Sequence, residues 1–217
     1  MNAAASTRNR RSAGRPTAED SVELVATVRR AALDLFLDRG FDATTMDAVA
    51  AAAGVTRRTL YLRYHDKSAM FYDAVHAALM PAAADDPLRL DLDDLEGSLF
   101  IIGREAFDRA VDERVVRLGQ LVMRERTRFP NLVPKEHHIL RLPHMNELVD
   151  LLRHHAVRGR VSVDDLETAA EQFLTLVASH PARLASFGLH RGAERRDYFV
   201  QRAVDLFLHG VGRKGTS

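Results

Sequence analysis

The stretch "GVTRRTLYLRYHDKSAMF", Gly54 to Phe71, sets Arg57, Arg58, Arg63 and Lys67 against a single acid, Asp66. Thr59, Tyr61, Tyr64 and His65 stand between them. The whole chain is nearly neutral, with 31 Lys and Arg against 30 Asp and Glu over 217 residues. Charge this local needs a local cause. Thr56 suits the N-cap of a short helix running to about Tyr64, and Asp66 suits the cap of another. Upstream, "ATTMDAVAAAAG" reads as a helix with Thr44 and Asp47 at capping-box spacing and Gly54 as its stop. Two short helices joined through "AGVT" have the length and turn composition of a helix-turn-helix.

Working outward, Val25, Val28, Ala32, Leu35 and Phe36 recur at helical intervals up to Gly40. A left-handed Gly40 in a Schellman motif would pack Phe41 back on Phe36. Residues 1–17 carry arginines, no acid and almost nothing apolar, so they read as a disordered basic arm. Residues 81–96 hold two prolines and an acidic excess and read as an interdomain connection. Beyond them, one helical run is expected from Leu95 to Pro130 and a segment broken at Pro134 and Pro143. Later helices are expected at "MNELVDLLRHHAVRG", after a capping box of Asp164 and Glu167, and up to Gly210. No period-2 run appears. The expectation is all-α: 1–17 an arm, 18–80 a helix-turn-helix DNA-binding domain, 81–217 a helical effector-binding and dimerisation domain.

The chemistry of Gly54–Phe71 fits a recognition helix. Such a helix needs an apolar anchor on one side and donors on the other. Leu60 and Val55 are the anchors, with Tyr64 as a further inward residue. Arg57 and Arg58 can each donate two bonds to guanine, and Thr59 can set its methyl on thymine. Tyr61, Arg63, His65 and Lys67 suit phosphates, which fix register rather than sequence.

These residues, with "AALDLFLDRG" before them and the joint pattern "ATT", "AAAAGV", "TLY" and a lysine ahead of "AMF", closely resemble the DNA-binding domain of the TetR family of bacterial transcriptional regulators. The resemblance covers roughly residues 18–76. "LVMRERTRFPNLV" and "AVDLFLHGV" resemble the C-terminal domain of an AefR-like subgroup. The resemblance implies a cytoplasmic, dimeric repressor released from a palindromic operator by a small effector. It makes Arg57, Arg58 and Thr59 base readers, Thr45, Tyr61 and Lys67 phosphate contacts, and Leu60 a packing residue. Arg63 and Tyr64 depart from the family pattern, which often has an aromatic residue or histidine, then phenylalanine.

Other signals are weaker. Phe100, Arg104, Phe107, Met123, His144 and Phe173 are candidates for an effector pocket, since such pockets are mostly apolar with few polar groups. Leu166, Ala170, Phe173, Leu174 and Val177 form one apolar stripe, and Phe199, Ala203, Leu206 and Phe207 another, which together could build a dimer interface. The ten histidines include no i,i+3 or i,i+4 pair, so they read as surface or satisfied pocket residues, and neither a metal nor a cofactor is expected. No phosphate loop, dinucleotide fingerprint or nucleophile elbow appears, so the chain is not read as an enzyme. No apolar run approaches the roughly 18 residues needed to span a bilayer, so no membrane partner is expected. The alternative is an architectural or interaction protein that binds DNA without an effector.

Overall fold

The computed structural model describes residues 18–79, 88–132, 144–190 and 192–211. The arm at 1–17, Pro134 and Pro143 lie outside the described residues. Within them are nine α-helices and no strand: α1 Ala18–Ala43, α2 Met46–Ala52, α3 Arg57–Arg63, α4 Lys67–Leu79, α5 Leu95–Val111, α6 Glu113–Glu125, α7 Met145–Val157, α8 Leu166–Ser186 and α9 Ala193–Val211.

Local chemistry sets the ends. α1 breaks at Gly40, whose φ of 77° and ψ of 176° lie in a region open essentially to glycine alone. This is extended backbone on the positive side of φ, not the left-handed cap of a Schellman motif. The expected apolar contact forms nonetheless, with the Phe36 and Phe41 rings stacked at 6.1 Å. The cap of α2 is Thr45, which accepts from the Ala48 amide, rather than Thr44. Thr44 is fully buried, its hydroxyl 2.8 Å from the Gly40 carbonyl oxygen. A Schellman pair closes α2, with the Val55 amide donating to the Ala50 carbonyl and the Gly54 amide to that of Ala51. Thr56 caps α3, and Asp66 accepts from the Ala69 amide at the start of α4.

The helical run expected from Leu95 to Pro130 is two helices. Asp112 turns the chain extended and accepts from the Val115 amide as the cap of α6. The cap of α8 is Asp165, bonded to the Glu167 and Thr168 amides, in place of the expected Asp164. α9 continues through Gly210 to Val211.

Two apolar cores result. In one, Phe36, Phe41, Met46, Val49, Leu60, Tyr64, Met70 and Phe71 of the first four helices pack with Leu118, Leu121 and Val122 of α6 and with Leu132. In the other, Leu99, Ile102 and Phe107 of α5 pack with Leu148, Leu151 and Leu152 of α7, Phe173 and Val177 of α8, and Val200, Val204 and Phe207 of α9. Ala170, Phe173, Leu174, Val177, Ala203 and Phe207 are therefore interior residues of one subunit. That corrects the expected dimer stripes, of which Leu206 alone stands well exposed. An amphipathic period shows that a face is covered, not what covers it.

Asp73 on α4 joins the first core to its surface. It accepts two bonds from Arg29 of α1, at 2.9 and 2.6 Å, and one from the Tyr64 hydroxyl. The Tyr64 hydroxyl thus has a dedicated partner. The Arg29 guanidinium holds the Asp73 carboxyl below its ordinary value, and burial raises the Tyr64 phenol. A carboxyl depressed in the fold adds stability above its unfolded pKa of about 3.9 and loses it as pH falls through the folded value. Thermal melts from pH 7 to pH 3 should therefore show a loss concentrated below about pH 4. Asp73→Asn should cost on the order of 1–2 kcal/mol at neutral pH, allowing for partial exposure, and should flatten that acid limb. An unchanged acid limb in the variant would rule the network out as its source.

Candidate DNA-reading surface

α3 has seven residues, too few to hold a helix in water without help. Its help comes from the Thr56 cap and from Leu60, 2% exposed. A buried leucine contributes about 1.5–3 kcal/mol and a cap about 1, so packing outweighs capping here. Tyr64 is buried at the helix end. With one side fixed, Arg57, Arg58, Tyr61, Leu62 and Arg63 are all left exposed.

The structure sorts the DNA contacts read from sequence. Arg58 is exposed and has no acid partner among the described residues. Arg57 pairs with Asp47 of α2 at 2.7 Å, both well exposed. Such a pair is worth at most about 1 kcal/mol and can be exchanged for a ligand. The Thr59 hydroxyl lies 2.8 Å from that of Thr56, so its methyl is the part left for contact. Arg63 lies over the Tyr64 ring, 5.9 Å from its centroid, and His65 contacts Asp66 at 3.0 Å. Thr45 stands exposed at the start of α2, its oxygen accepting the capping bond and its proton still free to donate.

Lys67 has a role that its position in sequence does not reveal. Its ammonium donates to the carbonyls of Phe41 and Asp42, at 2.8 and 3.1 Å, and sits 4.3 Å from the Phe41 ring centroid. It pins the start of α4 to the end of α1 and keeps one of its three donors for another partner.

Of the pocket candidates, Phe107 and Phe173 are buried in the second core and Phe100 packs against it. Arg104 is exposed on α5. Met123 does not join them, because α6 turns it outward, 66% exposed. His144 opens α7 with φ 64°, and its Nδ1 is buried without a hydrogen bond. His155 is fully buried, with neither ring nitrogen in a hydrogen bond of good geometry. It is therefore not a surface histidine. Burial lowers its pKa, opposed only in part by the Leu92 backbone. A separate cleft of about 770 Å³ opens between α1, α4, α5 and α6, lined by Arg30, Leu33, Ala77, Arg109 and Val115 among others. No helix of the described residues is long and apolar enough to cross a membrane.

Comparison with known proteins gives this surface its context. Residues 28–74 match the bacterial regulatory proteins of the tetR family, and residues 97–210 match the AefR-like transcriptional repressor C-terminal domain. A stretch of 61 residues is 38% identical to the HTH-type transcriptional regulator YdeS of Bacillus subtilis, spanning 28% of this chain and 29% of YdeS. Among solved structures, a TetR-family regulator from Mesorhizobium loti superposes with a TM-score of 0.71 at 21% identity, over 89% of this chain and 98% of its own. The flavonoid-responsive regulator FrrA superposes with a TM-score of 0.67 at 26% identity, over 89% of this chain and all of its own. The second family match alone covers more than half of the chain, and with the helix-turn-helix geometry of α2 and α3 it makes this protein a member of the TetR family of transcriptional regulators.

Proposed function

We propose that this protein is a cytoplasmic, dimeric repressor that binds a palindromic operator through α3 and is released by a small, mostly apolar effector. One observation carries the reading. A seven-residue helix, too short to be stable alone, is capped and anchored so that its arginines face outward. Arg57, Arg58 and Thr59 are the base readers, and Thr45, Tyr61, Arg63, His65 and Lys67 are the phosphate contacts. Arg58→Ala should cost about 1–3 kcal/mol on the operator and relax preference at one base pair. Lys67→Ala should weaken all sequences alike and also lower stability, since it removes two bonds to α1. Binding titrations on operator and scrambled duplexes at two salt concentrations measure both effects. Unchanged sequence preference in Arg58→Ala would exclude α3 as the reader through that residue.

Twofold symmetry is required because one short helix reads too few bases. The faces of α8 and α9 that turn away from their own core expose Leu176, Tyr198 and Leu206. They are our proposed interface, with α8 and α9 packed side by side in each subunit. The paired substitution Tyr198→Asp and Leu206→Asp should convert a dimer to a monomer in light scattering at micromolar concentration, with helicity retained. A wild-type monomer that still binds the operator would exclude the interface.

The effector site is placed by proposal between about residues 90 and 180. Support comes from the buried His144 Nδ1, which makes no hydrogen bond and has Glu147 at 3.8 Å, and from the buried ring of His155, since buried polar atoms call for partners. Support also comes from FrrA, whose name makes it flavonoid-responsive. Phe100, Phe107 and Phe173 would supply the apolar wall. The route to the DNA is α6, which packs inside the first core and pairs Arg114 with Asp34 and Arg117 with Asp38 of α1. Reciprocity gives the test. A ligand found by thermal shift should bind more weakly to the operator complex than to free protein, by the factor by which it weakens operator binding. Equal affinity for both forms would disqualify it as the inducer.

A further inference from the structure

We infer that Leu62 is a specificity residue that reads the 5-methyl group of a thymine in the major groove, a contact resting on the assignment of α3 as the DNA-reading helix. Leu62 is 79% exposed, on the same short helix that buries Leu60 to 2% exposure. At about 100° per residue, Arg58 and Leu62 lie some 40° apart, and their shared ridge points directly away from Leu60. These two side chains therefore lie on the side of α3 opposite its anchor. The rest of the outward face is polar: Arg57 and Tyr61 flank the ridge on one side, Thr59 and Arg63 on the other.

Leucine has no donor or acceptor, so it gains nothing from phosphates or from the polar edges of bases. The major groove offers one apolar feature, the thymine C5-methyl, which apolar side chains contact. Duplex DNA is the occupant of this ridge on the assignment of α3 as the reading helix, and the exposed Arg58 beside Leu62, with no acid partner among the described residues, complements a polyanion. A leucine left exposed also forgoes the stability that its burial would bring. The groove between α1 and α3, lined by Leu24, Val25, Thr59 and Leu62, leaves Leu62 at its outer lip rather than covered. Four residues of helix rise about 6 Å, close to two base-pair steps of about 3.4 Å. The thymine thus lies within about two base pairs of the base that Arg58 reads, once in each half-site.

The test removes the methyl and nothing else. An operator is first selected from random duplexes with the full-length protein, and each thymine is then replaced singly by deoxyuridine. Affinities are measured for wild type and for Leu62→Ala, whose fold is checked by its thermal melt. We expect one thymine per half-site at which deoxyuridine weakens wild-type binding by about fourfold, the worth of one buried carbon. The same replacement should leave Leu62→Ala unaffected. Leu62→Val should retain a partial response. A selected operator with no sensitive thymine, or one whose methyl matters equally to wild type and Leu62→Ala, overturns the inference and leaves the DNA-reading role of α3 standing. Selection that yields no preferred sequence overturns both.

Discussion

The seating of the Phe41 ring sets where α4 begins and, through the bond of Tyr64 to Asp73, where the end of α3 lies. Gly40 turns the chain so that Phe41 folds back under α1, where its ring meets those of Phe36, Phe71 and Phe129 at 5.1 to 6.1 Å. Lys67 and Arg128 lie over the same ring, at 4.3 and 4.8 Å. One aromatic side chain thereby joins the end of α1, the start of α4 and the chain beyond α6. Edge-to-face pairs are worth about 0.5–1.5 kcal/mol beyond their burial, and a cation over a ring about as much. Together they fix where α4 begins, and α3 is tied to α4 through Tyr64 and Asp73.

That arrangement has a consequence for communication along the molecule. α6 follows the first helix of the other core, α5, after a single turn at Asp112, yet its apolar face is buried against α1 and α4. Asp34, Asp38 and Asp42 pair in order with Arg114, Arg117 and Arg128. Each exposed pair contributes at most about 1 kcal/mol, so the first two set the register of α6 on α1, and the third that of the chain just beyond it, more than they stabilise either helix. α6 thereby packs on α1 of the first core and on α5 and α8 of the second.

Much of this was legible because the determinants are local. Thr56, Leu60 and Asp66 announce α3 and its neighbours within a dozen residues, and the stop at Gly54 needs only its own backbone. Where two similar residues stand together, sequence chose wrongly, as with Thr44 for Thr45 and Asp164 for Asp165. There, burial and the direction of the chain decide, and neither is written in spacing. Asp112 looked like one more polar residue in a helical run, since an aspartate that ends one helix and caps the next fits the same period. The stripes on α8 and α9 and the outward Met123 failed for a different reason, because which face of a helix meets which neighbour is tertiary. The contacts of Asp73 with Arg29 and Tyr64 were beyond reach, since nothing near Asp73 in sequence points to a partner on α1.

Charge explains how a nearly neutral chain presents a cationic ridge. Many of the other arginines are matched, among them Arg29 to Asp73, Arg114 to Asp34, Arg117 to Asp38, Arg128 to Asp42 and Arg196 to Asp108. Beyond about 10 Å at ordinary salt these pairs are invisible to an approaching polyanion. On α3, Arg58 has no acid beside it among the described residues, and Arg57 has only an exposed partner on α2. A field confined to one short helix gives weak attraction to nucleic acid in general and strong attraction only where that helix fits. Non-specific affinity rises with the number of phosphates neutralised. A low overall charge therefore keeps non-specific binding weak and favours specificity.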